Sequence, residues 1–96
     1  MRTLLKVHLP VEKGNEANVD GTLPKAIQSF VEKHSPEAMY FFPEGGTRTA
    51  IAVFDLQSPS QIPVVAEPFF RQFNAQVEFF PVMNIEDLQE GLQQLR

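Results

Sequence analysis

The chain contains no cysteine. That absence excludes disulfides, thiolate metal sites and a cysteine nucleophile, and it is neutral about cellular compartment. Basic residues are also few, because eight Lys and Arg stand against twelve Asp and Glu, which leaves a net charge of −4. A nucleic-acid-binding face must neutralise phosphates with basic side chains, so this balance argues against a nucleic-acid partner.

Long apolar runs are missing as well. No stretch approaches the ~20 apolar residues of a membrane span, and residues 1–6 hold no apolar run long enough for a signal peptide. We therefore predict a soluble, cytoplasmic protein without a membrane partner. The 96 residues, 43% of them hydrophobic, predict one domain over residues 1–96 with one core.

Motifs for metals, phosphates and RNA are absent from the sequence. The two histidines, His8 and His34, lack H-x-x-H or H-x-x-x-H spacing, so no metal site is predicted. Gly45-Gly46 has the composition of a turn and not of a phosphate-binding loop. The segment 48–54 lacks the basic-Gly-aromatic run of RNA-recognition modules. No cofactor is predicted.

What the sequence does contain is an ordered series of strand and helix patterns. Alternating apolar residues predict strands over 3–9, 38–42, 48–56 and 75–82. Helical periodicity predicts main helices over 22–34 and after Ser58-Pro59, a short helical piece near 15–19, and a final helix after Asn84. Pro68 is expected to kink or restart the second main helix, and Asn84 with Asp87 predicts a capping box.

This βαββαβ order predicts an α+β fold, a ferredoxin-like plait with a C-terminal helix. Its sheet is expected to be four-stranded and antiparallel, with both main helices on one face. In that topology the first and third strands are central, and the fourth lies beside the first.

Both faces of the predicted sheet are apolar, whereas a monomer would leave the helix-free face polar. Either assignment of the strands leaves several aromatic side chains on that face, which exceeds what monomers usually expose. We therefore predict a homodimer through the sheet face, with Phe54 in its seam. The alternative is that the C-terminal helix folds over this face.

The same pattern resembles a known group of proteins. A βαββαβ plait whose apolar sheet face meets a second copy is similar to the dimeric α/β-barrel superfamily, which includes antibiotic-biosynthesis monooxygenases and muconolactone isomerases. The segments 10–15, 36–38, 62–63, 66–69 and 77–83 look like an uncharacterised bacterial branch of it. The resemblance covers nearly the whole chain and implies the fold and the dimer. It implies no activity, and no catalytic motif of those enzymes can be placed on this sequence.

Four residues are candidates for a ligand site. His8 and Glu78 are expected on neighbouring strands, where they form either a general acid–base pair or a cross-strand charge pair. Tyr40 either orients a ligand carbonyl or packs in the core. Arg48 either binds a carboxylate or is a solvated strand-end residue. We expect the site between the sheet and the helices, near His8, Tyr40 and Glu78; no catalytic residue is assigned.

Two functions remain open at this point. The first is a small dimeric barrel that binds or transforms an apolar or aromatic small molecule without a cofactor. The second is a non-enzymatic module whose aromatic face serves only dimerisation or partner binding. A hollow interior of a few hundred Å³ with His8, Tyr40 or Glu78 exposed inside favours the first function, and an interior filled by Phe side chains favours the second.

Overall fold

The computed structural model describes residues 1–96 and contains four strands and four helices. In chain order the elements are β1 (Arg2–His8), α1 (Val11–Asp20), α2 (Thr22–His34), β2 (Ala38–Glu44), β3 (Thr47–Asp55), α3 (Gln61–Phe73), β4 (Gln76–Pro81) and α4 (Ile85–Gln93). The sheet is antiparallel throughout and has the order β2-β3-β1-β4. The predicted α+β class and the central places of β1 and β3 are confirmed, and the architecture is compatible with a ferredoxin-like fold.

Two helices, α1 and α3, differ in extent from the prediction. α1 begins directly after Pro10 and spans ten residues instead of five, and Gly21, at φ 82°, separates it from α2. Glycine tolerates this left-handed conformation, so the chain can turn there without strain. α3 runs as one helix through Pro68, so the predicted restart is wrong. The carbonyl of Val64 loses its donor at this proline, but Val64 is exposed, and water can satisfy that carbonyl.

The core lies between α2, α3 and one face of the sheet. Leu5 and Val7 of β1 face these helices, and the register places Ala52 and Ala50 of β3 beside them. The same alternation turns Phe54 toward the helices, where its side chain is 2% exposed. The centroids of the Phe54 and Phe30 rings lie 5.4 Å apart. The expectation that Phe54 lies in a dimer seam is therefore wrong. The error arose because the sequence did not show how the faces of β3 match those of β1.

The other face of the sheet carries no helix. Its apolar side chains come from all four strands and are Leu4, Tyr40, Phe42, Ile51, Val53 and Phe80. Tyr40 remains 64% exposed and Phe80 42% exposed. The expectation that aromatic residues lie on the helix-free face is thus confirmed.

The outer strands of the sheet are β2 and β4. Each contains a proline near its C-terminal end: Pro43 pairs with Arg48 in the register, and Pro81 pairs with Thr3. Proline has no backbone N–H, and it is tolerated in sheets mainly on such edge strands.

The last helix, α4, extends from the body of the chain. Its capping box is formed as predicted: the Asp87 N–H donates to Asn84 Oδ1 at 2.8 Å, and the Asn84 N–H donates to Asp87 Oδ2 at 3.1 Å. None of its residues is buried. α4 therefore does not cover the sheet face in this structure. No helix of the chain has the length and apolar character needed to cross a bilayer.

Candidate functional site

A cavity of about 400 Å³ lies between α2 and the helix side of the sheet. Twelve of its fifteen lining residues are hydrophobic. The strand pattern explains the free space, because β3 presents two small side chains in succession here, Ala50 and Ala52. Larger residues surround them, with Ile27 on α2 and Phe41 on β2. The interior is therefore hollow at the centre of β3 and filled farther along, where Phe54 packs against Phe30.

The cavity opens toward the β2 edge of the sheet. Phe41, which lines it, is 56% exposed at this end. Arg48 lies at the same end and is the only charged residue of the lining. Its Nη1 donates to Asn15 Oδ1 of α1 at 2.9 Å. The cavity thus combines an apolar wall with one cation at its mouth.

The four predicted site residues divide between the two faces of the sheet. Arg48 lines the cavity, whereas His8, Tyr40 and Glu78 lie on the helix-free face. The predicted location of those three, between the sheet and the helices, is therefore wrong. The physical reason is strand alternation: Leu5, Val7 and Leu9 are buried toward the helices, so His8 must point the other way.

His8 and Glu78 do come together on the helix-free face, in a larger polar network. His8 Nε2 lies 3.2 Å from Glu44 Oε1 and 3.9 Å from Glu78 Oε1. The Nδ1 atom of His8 is 3.1 Å from the Thr49 hydroxyl oxygen. Lys6 Nζ contacts Glu44 Oε1 at 2.7 Å. Because Lys6 and His8 reach from β1 across β3 to β2, they cover Thr49, which is buried although its face carries no helix.

Electrostatics in this network centre on Glu44. The hydrogen bond from Lys6 lowers the pKa of the Glu44 carboxyl, and the charges of Lys6 and His8 lower it further. Glu44 is therefore held as a carboxylate. Glu44 was not among the predicted site residues, because the predicted strand ended at Phe42 and Glu44 fell between it and the Gly45-Gly46 turn. The alternation Tyr40, Phe42, Glu44 would have revealed it, since β2 continues to Glu44 opposite Thr47.

These contacts favour the charge-pair interpretation of His8 and Glu78. In the network, Lys6 and Glu44 form an ion pair, and His8 Nε2 lies within ion-pair distance of both Glu44 and Glu78. Tyr40 makes no hydrogen bond to it, and its ring lies opposite Ile51. The cluster thus joins all four strands, and Thr49 is its only member that also lines the cavity.

The second histidine, His34, belongs to the core side of the sheet. The centroid of its ring lies 5.0 Å from the ring centroid of Phe30 and 5.4 Å from that of Phe54. Burial among these rings lowers the pKa of His34, and the charge of neighbouring Lys33 lowers it further. At the C-terminus of α2 a cation would be favourable, but desolvation outweighs that effect here.

No group of three or more His, Asp or Glu side chains in the structure is arranged to hold a metal ion. No protein-family model matches the chain, and the curated proteins give no significant match. The cavity and the helix-free face are therefore the features from which a function can be inferred.

Proposed function

We propose that this protein binds a small apolar or aromatic molecule in the cavity between α2 and the sheet. The observation that carries the proposal is the cavity itself, about 400 Å³ in volume and lined almost wholly by hydrophobic side chains. Ligand sites typically enclose roughly 300–1,000 Å³, with apolar walls and a few fixed polar groups. A cavity near the lower end of that range has room for a ligand about the size of one fused aromatic ring system.

The proposal includes self-association through the helix-free face. The chain exposes 6572 Å², whereas a compact monomer of its mass would expose about 5,600 Å². The excess is roughly 1,000 Å², and a standard interface removes about 800 Å² from each partner. The exposed helix α4 contributes part of this excess, and a second copy seated on Tyr40, Phe80 and their neighbours would remove the part that comes from the sheet face. The two sheets would then face each other as in the dimeric α/β-barrel superfamily, to which we assign the chain as part of the proposal.

The alternative function, a module that only dimerises or binds a partner, is supported by the same apolar face. It does not require a hollow interior. His8, Tyr40 and Glu78 lie outside the cavity, so only the volume part of the criterion for the first function is met. The free volume beside Ala50 and Ala52 supports ligand binding, because an evolved core without a ligand is normally packed to crystal-like density.

The test is binding of a neutral aromatic dye. N-phenylnaphthylamine fluoresces when it enters an apolar site, so we expect saturable enhancement with the wild-type protein. Ala50→Phe places a ring in the cavity and should abolish the enhancement. Val19→Phe is the matched control, because it adds the same ring on α1 at a residue that is 87% exposed.

The dye experiment separates the two functions. Unchanged folding of Ala50→Phe is checked by circular dichroism. Saturable binding that is lost in Ala50→Phe and kept in Val19→Phe supports the proposed function. Absence of saturable binding to the wild type, or equal binding to both variants, would contradict it and favour the non-enzymatic module.

A further inference from the structure

We propose that Arg48 makes the cavity selective for carboxylic acids with an apolar body, such as aryl carboxylates. This inference rests on the proposed function and names the ligand class. The apolar wall would hold the body of the ligand, and the guanidinium at the mouth would bind its carboxylate. Carboxylate recognition of this kind is favoured by the planar guanidinium fork of arginine.

Arg48 is free to bind an anion. Unlike Arg2 and Arg71, which pair with Glu37 and Glu67, it has no carboxylate within ion-pair distance. Only its Nη1 is engaged, by the neutral amide oxygen of Asn15. A guanidinium has five N–H donors, so most of its donors remain for a ligand. In a chain of net charge −4, an unpaired cation beside an apolar cavity marks a site for a negative group.

The α1 helix fixes the position of this guanidinium. Gly14 allows the Arg48 side chain to lie against the helix, because a Cβ at position 14 would be 3.1 Å from Nη1 and 3.3 Å from Cδ. Asn15, the next residue, accepts the hydrogen bond from Nη1. A side chain held in this way loses less conformational freedom when a ligand binds, which favours affinity.

The single positive charge at the mouth of the cavity favours a ligand with one carboxylate. Arg48 supplies one positive charge, and no other residue of the lining is charged. A phosphate monoester carries about two negative charges at neutral pH, so one of them would stay uncompensated against apolar walls. A monocarboxylate is matched in both charge and geometry.

The experiment compares naphthoic acid with its methyl ester, which has the same ring system and no charge. Dissociation constants are measured at neutral pH by displacement of N-phenylnaphthylamine. We expect the wild-type protein to bind the acid about tenfold more tightly than the ester, as one charge-assisted hydrogen bond implies. Arg48→Gln should weaken acid binding about tenfold and leave ester binding within about twofold.

Two further variants sharpen the comparison. Lys25→Gln removes the same charge from α2 at a residue outside the cavity lining and should change neither constant. Gly14→Ala crowds the guanidinium from α1 and should weaken acid binding while sparing the ester. It also serves if Arg48→Gln does not fold.

The outcomes distinguish this inference from the proposed function. Equal affinity of the wild type for acid and ester, or equal effects of Arg48→Gln and Lys25→Gln, would overturn the carboxylate selectivity and leave the cavity as an apolar site. Loss of acid preference in Arg48→Gln and Gly14→Ala alone supports it. Failure of both ligands and of the dye to bind the wild type would overturn the proposed function as well.

Discussion

His34 couples its own protonation to folding. Its pKa in the folded protein lies below the usual 6.5 because the ring is partly buried beside Phe30 and Phe54. Between the folded and the unfolded pKa, the unfolded chain binds more protons than the folded one, so the free energy of unfolding rises with pH there. The contribution of neutral His34 is complete above 6.5 and is lost as the pH falls from 6.5 through the folded pKa.

We expect this coupling to be visible in His34→Gln, whose side chain does not titrate. Urea unfolding between about pH 8 and about pH 5 measures the free energy of unfolding. The wild type should lose stability relative to the variant as the pH falls below 6.5. Both proteins keep Glu44 and the other carboxylates, so the difference isolates the histidine. Parallel pH profiles would show that His34 titrates equally in both states.

The candidate site was only partly predictable at the scale of residues. Arg48 was identified as a carboxylate-binding candidate from its side chain alone, but the position of its guanidinium depends on Asn15 and Gly14, which are distant in sequence. His8 and Glu78 were expected to be neighbours, and they are. The side of the sheet on which they lie could not be derived without the register that turns Leu5 and Val7 inward.

At the scale of elements, α4 is held differently from the other helices. It buries no residue and is joined to β1 by one ion pair, in which Arg2 Nη1 lies 3.4 Å from Asp87 Oδ2. Isolated helices of this length are marginal in water. Its stability within one chain therefore depends strongly on the capping box of Asn84.

Asn84→Ala should fray α4 without unfolding the body of the protein. Loss of an N-cap costs about 1 kcal/mol, and in α4 this cost is local because the helix packs against no core residue. Hydrogen exchange should show faster exchange over residues 85–93, with unchanged protection in β1 and β3. Asn84→Asp, which keeps a capping oxygen, is the matched control. An equal loss of protection in the central strands would show that α4 is part of the cooperative core.

The order of the elements was predictable from residue patterns, and some of their extents were not. Alternation identified β1 to β4, and the two central strands followed from topology. α1 was predicted too short because it has few apolar residues, and burial of Ala17 and the contact of Gly14 with Arg48 position it. α3 passes through Pro68 because the rest of the helix packs on the core, which outweighs one missing hydrogen bond.

The whole molecule is more extended than a compact domain of its length. Its radius of gyration is 15.2 Å, whereas about 12.5 Å is typical of 96 residues. Only 15 of the 96 residues are buried. A single layer of helices on one face of the sheet, together with the outlying α4, explains both values. The proposed second copy would add the missing layer.

We expect size exclusion with light scattering to give about twice the chain mass of 10.9 kDa at micromolar concentration. Phe80→Asp should reduce this mass to one chain, because the dimer would bury an unpaired carboxylate. Phe80 is already 42% exposed in the single chain, so the variant should still fold. Val19→Asp, at an exposed position of α1, should stay dimeric. A wild-type mass of one chain, or a dimeric Phe80→Asp, would contradict the proposed interface.

The prolines of the outer strands bear on a different kind of association, the addition of a further strand along the sheet. Pro43 in β2 and Pro81 in β4 each remove one backbone donor from the two edges at which fibrils would extend. An incoming strand would find an incomplete hydrogen-bond ladder on either side. Stacking through the broad face, in contrast, is complete once two sheets have met. The proposed dimer would therefore end association at a closed pair, and the edge prolines would oppose open-ended polymerisation.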